Sequence, residues 1–158
     1  MIDLEKVKNI ELFENFTQQE LESLFEKAHE MELREGEILF HEGEIGTEMY
    51  IVTSGEIEIY KELGVDEPKL LVSLPEGAFI GEMSLIDMSP RSAMIKASEN
   101  NAVDMVVFSR DYIESVALND INAVCKFMHN IIKISAGRSR MTTERLISSR
   151  QTLENINE

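Results

Sequence analysis

The sequence has a single cysteine, Cys125, and only three histidines among its 158 residues. One cysteine cannot form a disulfide bond within the chain, so we expect Cys125 to pack like an ordinary small apolar side chain. His29, His41 and His129 are widely scattered and do not have the spacing of a metal site. The sequence therefore predicts neither a disulfide framework nor a metal centre.

Positive charge is also scarce. Fifteen lysines and arginines face thirty acidic residues, which gives a formal net charge of -15. Such a chain repels phosphate backbones and anionic membrane surfaces at long range, so nucleic acid is an unfavourable partner. No apolar run approaches the roughly 18 residues of a membrane span, and the first residues carry acids where a signal peptide has a basic region. We expect a cytoplasmic protein with no nucleic-acid or membrane partner.

Helical patterns are present at both ends of the chain. Thr17 with Glu20 three residues later is typical of a capping box, and apolar residues follow at helical spacing. After residue 108, Ser109 can cap a short helix and Asn119 can cap a long one with a broad apolar face over residues 121–134. We expect Gly137 to interrupt this helix, because the segment beyond it is polar and marginally helical.

The middle of the chain has a different rhythm. From about residue 31 to residue 108, short apolar alternations are separated by glycines at evenly spaced turns. This pattern predicts an antiparallel β-sandwich or barrel. With 43% apolar residues, the chain can bury the core of one compact domain with a helical appendage.

One stretch, GEMSLIDMSPRSA at residues 81–93, interrupts the β pattern. It predicts that Gly81 makes a tight turn, that residues 82–87 form a short helix, and that Arg91 begins the next strand. Free N–H groups at the start of the helix and the planar fork of Arg91 suit a phosphate, and Ser92 can add a contact. Glu82 would repel a phosphate but can accept a hydrogen bond from a neighbouring ribose 2′-hydroxyl.

This stretch resembles the phosphate-binding cassette of cyclic nucleotide-binding domains, with Gly-Glu, a small residue, a helical turn and then Arg-Ser-Ala. The upstream segments EGEILFHEG at 35–43, MYIVTSG at 49–55 and GAFIGE at 77–82 are similar to the strands and turns of that family. The resemblance covers residues 10–135 and extends to the sensor domains of bacterial catabolite-activator-type regulators and of protein kinase A regulatory subunits. It implies an α+β fold, an antiparallel β-roll of jelly-roll type with N-terminal and C-terminal helices.

By the same resemblance the ligand is cAMP or cGMP, with no other cofactor and no metal. Glu82 lies where the family binds the ribose 2′-hydroxyl and Arg91 where it binds the cyclic phosphate. The other positions implied to contact the nucleotide are Gly81, Met83, Ser84, Ser92 and Ala93. The positions predicted to form an apolar wall for the base are Ile59, Val72, Leu74 and Ile80. Further candidates for contacts with the base, on the long helix, are Ser135, Arg138, Ser139 and Thr142.

The domain organisation expected from the resemblance is a nucleotide-binding β-roll with its flanking short helices at residues 1–118, followed by a lid or dimerisation helix at 119–158. Since no helix-turn-helix module follows in this sequence, we expect either a stand-alone sensor, not an enzyme, that acts through helix movement on an effector protein, or a fragment of a longer protein. The C-terminal helix can pair with its copy in a homodimer or can simply pack on the β-roll.

Two alternatives remain open. In the first, the pocket is a dead one in a structural or dimerisation domain, and Glu82 and Arg91 form an internal salt bridge. In the second, the chain is a small metal-dependent enzyme of cupin type, which requires clustered histidines with a carboxylate. The three histidines fall in different predicted elements, so the sequence favours the binding module over the enzyme.

Overall fold

The computed structural model describes residues 2–62, 64 and 67–156. The described residues contain strands β1 (His29–Leu33), β2 (Ile38–Phe40), β3 (Glu48–Ser54), β4 (Glu56–Lys61), β5 (Lys69–Pro75), β6 (Phe79–Ile80), β7 (Met94–Ala97) and β8 (Val103–Ser109). The helices are α1 (Leu4–Val7), a 3-10 turn (Glu11–Phe13), α2 (Gln18–Phe25), α3 (Glu82–Asp87), α4 (Arg110–Ala117) and α5 (Ile121–Ile156).

The strands form two antiparallel four-stranded sheets, in the orders β1-β8-β3-β6 and β2-β7-β4-β5. The alternation of side chains along β3 shows how the two sheets and the helices pack. Tyr50 and Val52 point into the core between the sheets, whereas Met49 and Ile51 belong to a second core on the outer face. The predicted β-roll with helices at both ends is therefore confirmed.

The second core is built by helices that cover the outer face of the β1-β8-β3-β6 sheet. Phe127 of α5 stacks on Phe13 with ring centroids 6.0 Å apart, and Phe25 of α2 meets Phe108 of β8 at 5.2 Å. Asn130 is buried and donates to the carbonyl of Leu12 at 2.9 Å. The first half of α5 is therefore fastened to the N-terminal helices, and its course past the β-roll is fixed.

Two of the predicted helix caps are confirmed and one is wrong. Thr17 and Glu20 form the capping box of α2, and the side chain of Ser109 accepts from the N–H of Tyr112. The start of α5 is capped by Asp120, which accepts from the N–H of residue 123 at 3.0 Å, and not by Asn119. Asn119 lies one residue too early, because α5 begins at Ile121, and its side chain donates back to the carbonyl of Ser115 in α4.

The long helix also departs from two predictions. It runs without interruption through Gly137, since one glycine costs a helix only about 1 kcal/mol and good helix formers lie on both sides. Cys125 is exposed and does not pack in the core, because it lies on the face of α5 that turns away from the second core. The division of the chain at residues 118 and 119 stays a prediction.

Candidate functional site

The predicted interruption of the β pattern is present. After β6, Gly81 has a φ of +78°, a value that favours glycine, and α3 follows at once. Met88, with a φ of +59°, ends the helix. Arg91 does not begin the next strand, because β7 starts at Met94. The backbone of Arg91 is bonded instead to the loop after β2, through the carbonyl of Glu44 and the N–H of residue 43.

A cavity of about 140 Å³ lies between α3, β7 and the inner face of the β-roll. All seven predicted contact residues of the cassette, and all of the predicted wall except Val72, line it. The lining residues are Phe40, Ile59, Leu74, Phe79, Ile80, Gly81, Glu82, Met83, Ser84, Arg91, Ser92, Ala93, Ile95 and Arg138. The structure therefore brings the predicted cassette residues and three of the four predicted wall residues together around one cavity, and their role in binding a nucleotide stays a prediction.

Val72 is the exception among the predicted wall residues. It is 43% exposed and lies outside the lining of the cavity. It belongs to β5, the edge strand of its sheet, where the consecutive residues Leu70, Leu71 and Val72 are all about half exposed. Because neither face of this part of β5 is covered, the strand extends past the core. The prediction that Val72 forms the wall was wrong.

Arg91 is one of three ionisable side chains that line the cavity, with Glu82 and Arg138, and it is only 5% exposed. One guanidinium nitrogen, Nη1, donates to the carbonyls of Glu48 at 2.8 Å and Gly81 at 3.2 Å, and the guanidinium carbon lies 4.2 Å from the ring centre of Phe40. A Cβ atom on Gly46 would collide with the guanidinium, so a glycine at this position lets the loop backbone lie close to it. The side chain is thus held rigidly before any ligand binds.

No ion pair joins Arg91 to a carboxylate within the part of the chain that the structure describes. An uncompensated buried charge is costly, and neutral carbonyls relieve only part of that cost. The dead-pocket alternative required an internal salt bridge between Arg91 and Glu82, and this pair is not among those ion pairs. The electrostatics of the cavity therefore favour an anion beside Arg91.

Glu82 lies at the first position of α3 and faces the same cavity. Burial raises the pKa of its carboxyl group above the ordinary 4.5, and the nearby charge of Arg138, a hydrogen bond from Ser135 and the charge of Arg91 each act in the opposite direction. The hydroxyl of Ser135 is 3.5 Å from Oε1 of Glu82, which is a long hydrogen bond. Glu82 therefore retains acceptor capacity for a neutral donor.

The long helix brings two of its four predicted contact residues to the site. Besides Ser135 at Glu82, Arg138 lines the cavity, donates to the carbonyl of Phe79 at 3.2 Å and lies 4.3 Å from the centre of its ring. Ser139 and Thr142 are exposed and do not line the cavity. The prediction that these two residues reach the site is therefore wrong in the present position of α5.

Ser92, at the far end of the cassette, is anchored by an ion pair on the neighbouring strand. Lys61 donates to the carbonyl of Ser92 at 2.7 Å and to the carboxylate of Glu42 at 2.6 Å. This contact was not predicted, because the lysine and the serine are distant in sequence. The sequence also missed Phe40, Phe79 and Ile95, although the alternation of apolar residues in their strands could have placed them on the inner face.

A larger cavity, of about 370 Å³, lies on the outside of β1 and β8 beside α1. Its charged groups are mostly carboxylates, those of Asp3, Glu30, Glu32 and Asp104, with one lysine, Lys6. This surface repels phosphates, so the smaller cavity is the better candidate for an anion.

The described residues contain no group of three or more metal-ligating side chains, and His29, His41 and His129 lie in β1, after β2 and in α5. The clustered ligands that a cupin-type enzyme requires are therefore not found in this part of the chain. No described helix combines the length and the apolar character of a membrane span.

Comparison with known proteins identifies the family. The family model of the cyclic nucleotide-binding domain matches residues 30–120, more than half of the chain. The chain belongs to the cyclic nucleotide-binding domain family. The match spans the whole cassette, from the turn at Gly81 through Arg91 to Ala93, and it agrees with the resemblance drawn from the residues.

Individual relatives agree with this assignment. A cGMP-dependent protein kinase of Plasmodium berghei is 30% identical over 145 residues, which are 89% of this chain and 16% of the kinase. The cyclic AMP receptor protein of Thermus thermophilus is 29% identical over 67% of this chain and 46% of its own length. The chain thus spans less than half of either relative.

A crystal structure of a cyclic nucleotide-binding domain from Methylobacillus flagellatus superimposes with a TM-score of 0.81 and 28% identity. The superposition covers 92% of this chain and 81% of that domain. Both the β-roll and the flanking helices therefore have counterparts in a solved member of the family.

Proposed function

We propose that this chain is a regulatory module that binds a 3′,5′-cyclic nucleotide, cAMP or cGMP, in the 140 Å³ cavity. In this proposal Arg91 binds the cyclic phosphate, Glu82 accepts a hydrogen bond from the ribose 2′-hydroxyl, and Ile59, Leu74 and Ile80 contact the base. The backbone and small side chains of the cassette, Gly81, Met83, Ser84, Ser92 and Ala93, complete the pocket.

The observation that carries the proposal is the buried guanidinium of Arg91, which faces a cavity, donates to the neutral carbonyls of Glu48 and Gly81, and has no ion pair with a carboxylate among the described residues. Its fork can bind two phosphate oxygens at once. Glu82 strengthens the argument because a carboxylate beside a phosphate is unfavourable unless a donor lies between them. A cyclic nucleotide supplies both an anion and a hydroxyl donor in one rigid ring system.

The response to the ligand is proposed to pass through α5. Ser135 and Arg138 already contact Glu82 and Phe79 at the edge of the cavity, so a bound nucleotide must either displace these side chains or bond to them. Either event changes the relative stability of different positions of the helix, which is the physical basis of a switch. A protein effector or a second copy of the chain would read the new position.

The central test is calorimetry with cAMP and cGMP on the wild-type chain, Arg91→Ala and Arg91→Lys. We expect Arg91→Ala to cost on the order of 2–5 kcal/mol of binding free energy, because the phosphate loses its charge partner but still loses its water. Arg91→Lys should recover only part of this, since a point charge replaces the fork. Unchanged affinity in Arg91→Ala would refute the phosphate assignment.

The ribose assignment is tested with the 2′-deoxy analogue in a double cycle. Wild-type protein should bind the deoxy ligand much more weakly than the parent, because a buried carboxylate then has no donor. Glu82→Ala should shrink this difference between the two ligands. Equal binding of both ligands by the wild type would show that Glu82 does not bind the ribose.

A further inference from the structure

The cassette helix α3 is contacted at both of its ends by the helices that follow the β-roll. At its first residue, Glu82 meets Ser135 of α5. At its other end, the guanidinium of Arg110 donates through Nη2 to the carbonyl of Ser84 at 3.2 Å and to that of Leu85. Carbonyls in the last turn of a helix have a negative partial charge, so a cation there is favourable.

Arg110 is itself fixed in place. It is the first residue of α4, its backbone N–H donates to the carbonyl of Thr47 at 2.9 Å, and Ser109 caps the helix behind it. Its side chain therefore links a rigid part of the β-roll and the start of α4 to the end of α3.

The environment of Arg110 makes a purely packing role unfavourable. Its guanidinium borders a separate cavity of about 220 Å³, which is lined by Leu85, Ile86, Ile113, Glu114 and Met128, and its charge also acts on the carboxylate of Asp87 at the end of α3. Its Nε is buried and has no hydrogen-bond partner among the described residues. A buried donor without a partner carries a desolvation cost, and an apolar side chain would fill this space without that cost. The arginine is explained by what it holds, the carbonyl end of α3.

We propose that Arg110 is a positioning residue that couples the nucleotide site to α4 and α5. This inference rests on the proposed function. By holding the end of α3, Arg110 keeps Glu82 and Ser84 in the orientation that a nucleotide requires. When a ligand shifts α3, the same two hydrogen bonds transmit the shift to the first turn of α4.

The expected effect on affinity follows from the populations of the free protein. If α3 adopts its binding orientation only part of the time, the apparent dissociation constant rises in inverse proportion to that fraction. Loss of two charge-assisted hydrogen bonds is large enough to weaken binding about tenfold through this mechanism.

The test compares wild type with Arg110→Ala, Arg110→Lys and the control Arg140→Ala, which removes an exposed arginine from α5. Calorimetry with cAMP and with cGMP gives the dissociation constants, and thermal unfolding gives stability. We expect Arg110→Ala to bind about tenfold more weakly, Arg110→Lys to recover much of that loss, and Arg140→Ala to match the wild type. Arg110→Lys keeps the positive charge and can reach the same carbonyls, so it also serves if Arg110→Ala does not fold.

A second readout follows the coupling itself. Hydrogen exchange at saturating nucleotide should show protection changes in α3, α4 and the start of α5 for the wild type. In Arg110→Ala, the change in α3 should persist while the changes in α4 and α5 are reduced. A residue with only a structural role would lower the unfolding temperature and leave this pattern and the dissociation constant unchanged.

The outcomes separate the inference from the proposed function. If the wild type binds neither nucleotide, the proposed function fails and the inference fails with it. If the wild type binds but Arg110→Ala keeps both its affinity and its exchange pattern in α4 and α5, only the inference about Arg110 is overturned.

Discussion

Arg91 and Arg110 are both bonded to backbone carbonyls, yet they have different surroundings. Arg91 faces a cavity that is also lined by the charged groups of Glu82 and Arg138, whereas Arg110 borders a mainly apolar cavity that includes Glu114 and donates to carbonyls at the end of one helix. The first arrangement supports the proposed role of Arg91 as a ligand for an anion, and the second supports the proposed role of Arg110 in positioning α3. The residue type alone, arginine in both cases, does not distinguish the two proposed roles.

The sequence predicted that Arg91 lies beside the short helix and the cavity because the cassette is local, with turn, helix and arginine in one run of thirteen residues, 81–93. It could not select Arg138 over Ser139 as the residue that reaches the cavity. That choice depends on how α5 rotates as it packs on Phe13 and Leu12, which are distant in sequence. Contacts of Lys61 and Arg110 were missed for the same reason.

Glu82 gives a prediction about pH. Burial raises the pKa of its carboxyl group in the folded protein above the ordinary 4.5, so its contribution to stability is greatest below that value. As the pH rises through the raised pKa, the carboxylate ionises in a desolvated site and stability is lost. We expect nucleotide-free Glu82→Gln to gain stability relative to wild type between pH 4.5 and pH 7.

Thermal unfolding of both proteins across this pH range measures the effect. Glu144→Gln, which removes a carboxylate from the exposed part of α5, controls for the change in net charge. A constant difference between wild type and Glu82→Gln at all pH values would contradict the assignment of the raised pKa to this site.

The helices show which features of an element are predictable from sequence. The starts of α2 and α4 were predicted correctly because a cap involves a side chain and an N–H group three residues away. The continuity of α5 through Gly137 was not predicted. It depends on the summed helix propensity of all 36 residues of α5 and on the packing of that helix.

Gly137 therefore offers a test of helix energetics. A Cβ atom built on it would have no atom within 4 Å, so an alanine fits without strain. We expect Gly137→Ala to stabilise the protein by about 0.5–1 kcal/mol, mainly by reducing the freedom of the unfolded chain. Denaturant unfolding followed by circular dichroism measures the change. Destabilisation would mean that this part of α5 is not helical in solution.

For the whole molecule, the apolar cores and the net charge have different physical effects. The two cores are apolar and hold the β-roll and helices together, whereas the net charge of -15 determines which partners approach. We expect the chain to show no salt-sensitive binding to duplex DNA, because the negatively charged protein and the negatively charged phosphate backbone of DNA repel each other. Retention of DNA by micromolar protein in a low-salt gel-shift experiment, with or without cAMP, would contradict this expectation.

The last prediction concerns the exposed apolar residues of α5. Ile121, Ile132 and Leu146 are 56%, 58% and 66% exposed, and their separations of 11 and 14 residues place them on one face of the helix. We propose that this face pairs with its copy in a homodimer. Introducing a charge at its centre, in Ile132→Glu, should shift the protein to a monomer, because an unpaired carboxylate would be buried between two helices.

Met141 provides a matched control. It is 56% exposed, but it lies nine residues after Ile132, or two and a half helical turns, and so points away from the proposed interface. Light scattering over a range of concentrations, with and without cyclic nucleotide, should report a dimer for wild type and Met141→Glu and a monomer for Ile132→Glu. A wild-type monomer at the highest concentration under both conditions would exclude the dimer.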